Sequence, residues 1–141
     1  MGYRLKVEGP STIELDENSV THITFDAGTS NTAFNARATF TELGMKVYGK
    51  INFSISGENA DPTVDLATWS LQGSDVKDCY RKVTVLAVEG GQTVRSYVFP
   101  NAFVRQYTEE ISDETGVGTF YIEIRQKMDL NSAVEFTGGF E

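Results

Sequence analysis

A two-residue hydrophobic period dominates this chain and fixes what it can fold into. From Val94 to Lys127, two strand-like runs flank a short stretch in which Glu109, Glu110, Asp113 and Glu114 crowd together. In the second run Phe120, Ile122 and Ile124 point one way, and Tyr121, Glu123 and Arg125 the other. The same alternation places Val47, Gly49, Ile51, Phe53 and Ile55 opposite Tyr48, Lys50, Asn52 and Ser54. It also sets Phe34, Ala36, Ala38 and Phe40 against Asn35, Arg37 and Thr39. Successive side chains of a strand leave opposite faces, so this pattern predicts half-buried antiparallel strands.

The shorter runs agree. Tyr3–Glu8 alternates through Leu5 and Val7 and ends at Gly9-Pro10, Ile13 and Leu15 form a brief second piece, and Val20–Phe25 is β-branched and aromatic. Asp26–Asn31 is small and polar and reads as a loop. Glu42-Leu43-Gly44 is expected to turn a hairpin, with Gly44 supplying a positive φ. Tyr80–Val88 and Val94–Phe99 read as a hairpin about Gly90-Gly91, and Pro100 predicts a bend or an edge before Ala102–Tyr107. Val134–Phe136 is a last short strand, with Gly138-Gly139 loosening the tail.

One segment reads as a helix, Pro62–Gln72, with Asp61 as cap, Pro62 at the first helical position and Gly73 as stop. Val64, Ala67 and Leu71 are expected on its buried face with Leu66 nearby, and Trp69 as its packing anchor. The fold class is therefore mainly β. A single domain over residues 1–141 forms an antiparallel β-barrel or sandwich with one short flanking helix, about residues 62–72.

Chemistry is sparse. His22 is the only histidine, so a triad or zinc site would hang on one imidazole, and neither G-x-S-x-G nor H-E-x-x-H occurs. Cys79 has no disulfide partner and reads as a structural thiol beside Lys77 and Asp78. The acidic stretch lacks the ligand spacing of an EF-hand loop and reads as solvated charge. Gly116-Val117-Gly118 lacks the third glycine of a phosphate-binding fingerprint. No catalytic residue, metal or cofactor is expected. The net charge of −8 and the absence of a Lys/Arg cluster argue against binding nucleic acid or anionic membranes, although DNA passage past an acidic surface is compatible with them. MGYRLKVEG lacks the apolar core of a signal peptide, no apolar run is long enough to span a membrane, and cytoplasmic assembly is expected.

The order of these segments resembles the Hcp family of type VI secretion tube proteins and the related phage tail-tube proteins. The opening Tyr3-Arg4-Leu5-Lys6-Val7-Glu8-Gly9 is similar to that family's first strand. A short helix, the strand Tyr80–Val88 and the Gly90-Gly91 turn follow in the family's order. Tyr97-Val98-Phe99-Pro100-Asn101-Ala102-Phe103-Val104 and the strand Thr119–Lys127 continue the likeness. The resemblance implies a compact β-barrel, hexameric rings stacking into a tube, and no enzyme activity. It leaves open a secretion system, a phage, or another contractile particle. The implied partners are other copies of the chain, and sheath, baseplate or effector proteins.

Ring formation needs heterologous contacts that close by rotation, and strand edges are natural places for them. Asp26, Thr29, Asn31 and Phe34, with Glu42, Met45 and Tyr48, are the expected subunit-interface residues, because they sit in small polar connections between long strands. A competing reading is a monomeric β-sandwich module for ligand or carbohydrate, using exposed Tyr48, Tyr97 or Tyr121. Such a module would present a face of coplanar aromatic rings.

Overall fold

The computed structural model describes residues 1–28, 42–51, 62–114, 117–127 and 134–138. Among the described residues, eight strands form one antiparallel sheet: β1 (Gly2–Glu8), β2 (Thr12–Leu15), β3 (Val20–Gly28), β4 (Glu42–Ile51), β5 (Arg81–Glu89), β6 (Gln92–Ile111), β7 (Gly118–Gln126) and β8 (Glu135–Gly138). One helix, α1 (Pro62–Ser70), and a 3-10 turn at Lys77–Cys79 precede β5. The strand order is β2-β1-β5-β6-β7-β4-β3, with β8 paired to β6. The consecutive strands β5, β6 and β7 make a central meander. The N-terminal pairs β1–β2 and β3–β4 flank it on opposite sides.

The sheet curls on itself without closing. β1 touches β3 but is not laddered to it, and Lys50 N donates to Ser19 O at 2.7 Å beside the seam. Apolar faces of seven strands and the helix meet in one core, in which Val7, Met45, Val47, Leu66, Val83, Val85, Phe99 and Ile122 are fully buried. Beside β3, where no described strand closes the sheet, rings meet: Phe25 of β3 lies 5.3 Å from Tyr97, 6.3 Å from Phe99 and 5.0 Å from Phe136.

The β5–β6 hairpin turns on Gly90 and Gly91, whose φ values of 61° and 79° are those a two-residue primed turn requires. β6 then runs for 20 residues through Pro100. Proline cannot donate to a ladder, and the chain accommodates it in a bulge: two steps along β5, from Arg81 to Val83, oppose three along β6, from Ala102 to Phe99. On the edge of β6 away from β5, β7 covers Ala102–Ile111 and β8 covers Arg95–Val98, with Lys127 N donating to Asn101 O at 2.9 Å between them. β7 and β8 thus lie end to end on one edge of β6. The break in their line falls opposite Phe99 and Pro100.

The sequence misplaced several features. Glu42-Leu43-Gly44 is not a turn. It begins β4, and Gly44 has no positive φ. Its glycine answers a close approach: a Cβ there would stand 2.8 Å from Ile124 O and 2.9 Å from Arg125 Cδ. Asp26–Gly28 belongs to β3 rather than to a loop, and Gly138 belongs to β8 rather than to a loose tail. Glu109 and Glu110 are in β6, leaving Asp113 and Glu114 in the turn. The helix buries Thr63, Leu66 and Trp69, whereas Val64 and Leu71 are 59% and 86% exposed. The strand expected over Phe34–Phe40, and Phe53 and Ile55, lie outside the described residues.

Candidate assembly surfaces

The outward face of β4, β6 and β7 carries a polar cluster in the center of the meander. Period two turns Glu123 away from the core formed by Ile122 and Ile124, yet Glu123 is only 4% exposed because its neighbours cover it. A bulge between Val104 and Gln106 adds Arg105 to β6 and brings its guanidinium against the carboxylate, with Nη1 3.3 Å from both oxygens. Arg125 Nε donates to Glu123 Oε2 at 3.0 Å, and the Tyr121 hydroxyl donates to Oε1 at 3.0 Å. Arg125 also pairs with Glu42 at 3.6 Å.

The electrostatics follow from this packing. Burial alone would raise the Glu123 pKa. The hydrogen bonds from Tyr121 and Arg125 and the charges of Arg105 and Arg125 outweigh burial and hold it below its ordinary value. The Tyr121 hydroxyl is pushed up to about 12, by burial first and then by its bond to the anionic Glu123. Tyr121 packs on Tyr48 with centroids 4.9 Å apart, and Tyr48 on His22 at 5.4 Å. The rings are tilted by 39° and 45°, so they do not form a coplanar platform. His22 meets Thr24 Oγ1 at 3.4 Å and has no acid–base partner geometry beyond that.

Of the expected interface residues, the structure brings Glu42 and Tyr48 into this one face, on alternate positions of β4. Asp26 is half-buried in β3, opposite Gly44. Met45 points the other way and is fully buried, so its side chain belongs to the protomer's own core. Thr29, Asn31 and Phe34 lie outside the described residues. Sequence reasoning missed Arg105, Glu123 and Arg125 as a unit. Alternation gave the face of Glu123 and Arg125, but the bulge that delivers Arg105 has no signature in the sequence.

The edges are the second surface. β2 and β3 stand at the two ends of the strand order, and β5 stops pairing at Ala102 while β6 continues to Ile111. The β6–β7 hairpin therefore projects beyond the β5 end of the sheet, with Glu109, Glu110, Asp113 and Glu114 exposed near its tip. Helix α1 packs against β6 and β2 near its base, held by Trp69, whose Nε1 donates to Cys79 O at 2.9 Å under the Arg81 guanidinium. Cys79 is buried, and burial raises its thiol pKa, the opposite of activation. Among the described residues no three His, Cys, Asp or Glu side chains group to hold a metal, and no helix is long and apolar enough to cross a membrane.

No family model and no curated protein matches this chain in sequence. Its fold does match. Hcp1 from Flavobacterium johnsoniae superposes with a TM-score of 0.59 at 12% identity, over 99% of this chain and 97% of the other. Hcp1 from the E. coli EAEC 042 pathovar gives 0.61 at 6% identity, over 99% of both. A chain of the sheath–tube complex of the extracellular contractile injection system PVC gives 0.55 at 18%, over 98% of this chain and 89% of its own. With the superpositions running over nearly the whole of both chains, this chain has the fold of Hcp-like tube proteins.

Proposed function

We propose that this chain is a structural subunit that assembles into rings, six to a ring, which stack into the inner tube of a contractile injection machine. It has no catalytic role in this reading. The observation that carries the proposal is the extent of the likeness: it runs over nearly the whole of both chains, for Hcp1 and for a sheath–tube component alike. The six-fold count is supported by a further fold match, at 9% identity, to a chain of the six-fold symmetrised baseplate of the anti-feeding prophage. Sheath, baseplate and cap components are the expected partners.

In this reading the strand edges and the projecting β6–β7 hairpin make contacts between copies. The Asp26–Phe34 connection, Glu42 and Tyr48 supply part of the interface. The net charge of −8 gives a lumen that repels acidic cargo from its wall and lets it slide. Light scattering after size-exclusion chromatography, followed by negative-stain imaging, tests the assembly. Rings and stacked rings are expected, whereas a strict monomer at high concentration, even with an initiating baseplate component supplied, rejects the proposal. Replacing residues 29–34 by a Gly/Ser linker, which spares the β3–β4 ladder, should abolish stacking or ring closure, and unchanged rings and stacks would remove that segment from the interface.

A further inference from the structure

We propose that β8 is an exchangeable strand, and that the edge of β6 it occupies is a docking slot for the β8 of a second copy. The slot has two parts. One is the main-chain edge of Arg95–Val98, paired with Glu135–Gly138 in the register Ser96↔Thr137 and Tyr97↔Phe136. The other is an aromatic recess where Phe136 lies 5.0 Å from Phe25, 5.6 Å from Tyr97 and 6.3 Å from Phe99. Val134 packs on the rim of the core two residues earlier. The slot therefore reads an extended Val-x-Phe segment, taking alternate side chains inward while the main chain supplies the ladder.

Three features fit exchange better than a permanent fixture. All four residues of β8 are exposed, and Phe136 keeps 48% of its surface in solvent. Among the described residues β8 pairs with β6 alone, whereas β7 pairs with β6 and β4. β8 also lies in line with β7 on the same edge, so a strand from either chain reaches the slot without disturbing another pairing. Eight residues, 127–134, join the two strands, and an extended stretch of that length spans roughly 26–29 Å. A neighbouring copy offers the segment whose complementarity is already built, because it is the same segment. The proposal deepens the tube reading by naming one contact between subunits, and its test separates the two.

Two variants are made in a Cys79→Ala background, one with Ser96→Cys and the other with Thr137→Cys. They are mixed under assembling conditions and oxidised. Each chain holds half of one directly opposed cross-strand pair, whose Cβ atoms stand about 4.5–5.5 Å apart. Exchange gives a covalent dimer in the mixture, at least several-fold above that in either variant alone. A single chain carrying both substitutions is the folding control and should cross-link internally when kept dilute. Rings without mixed dimers overturn strand exchange and leave the tube reading standing. Mixed dimers without rings support exchange and remove the tube reading. Neither dimers nor rings, with the control cross-linked, overturns both.

Discussion

Glu123 shows how a single residue can be legible in kind and illegible in consequence. Alternation puts it on the outer face, where a carboxylate is ordinary, yet it is buried under Arg105, Arg125 and Tyr121. Removing it takes a shared carboxylate from two guanidinium groups, of which Arg125 keeps Glu42. Because the Arg105 side chain is 56% exposed and can turn to water, Glu123→Ala is expected to cost about 2 kcal/mol, less than breaking a fully buried pair, read by urea denaturation. The pH dependence has a definite sign. A carboxylate whose folded pKa is depressed contributes stability above its unfolded pKa and loses it as pH falls through the folded value. Wild-type stability should therefore fall more steeply with acid, below the unfolded carboxylate range, than the remaining carboxylates alone dictate, and Glu123→Gln should flatten that part of the profile. Tyr121 works in the other direction: its phenolate should appear only near pH 12 in ultraviolet absorbance, and Glu123→Gln should lower that midpoint. Trp69 was legible as an anchor from size alone. Its indole bond to Cys79 O and its position under Arg81 were not, since the three residues meet only in the fold.

At the level of elements, strands were read well and their interruptions poorly. Among the described residues, strands whose inward residues recur at period two were read as strands, because burial on one face leaves that trace in sequence. Gly44 was taken for a turn because glycine permits both positive φ and close approach, and sequence does not tell the two apart. Pro100 suggested a bend or an edge, and the bend takes the form of a bulge that lets β6 pass through it. In the helix, periodicity offered two opposed apolar faces, Val64 with Ala67 and Leu71, and Leu66 with Trp69, and the reading took the first. The sheet chose Thr63, Leu66 and Trp69. Three substitutions test these accounts. Gly91→Ala places a side chain at a φ of 79° and should cost about 1–2 kcal/mol. Gly49→Ala drives a methyl into the Phe120 ring and Ser19 O, and should cost about 1–3 kcal/mol, whereas Leu71→Ser at the exposed helix end should stay within about 0.5 kcal/mol. Thermal denaturation ranks all three.

For the whole molecule, the fold class and its likeness to Hcp-like tube proteins were legible, because the order of strands, helix and turn survives where residue identity does not. Assembly adds a further expectation: if copies bind one another only when folded, the melting temperature should rise with protein concentration, and dilution should reverse it. The strand order also has a consequence for synthesis. β1 pairs with β5 and β4 with β7, partners that lie roughly 75–80 residues downstream. Both N-terminal strand pairs leave the ribosome before the meander they dock against exists. The first 51 residues must wait with apolar faces uncovered, so a nascent chain halted ahead of Arg81 is the species most exposed to aggregation and to proteolysis.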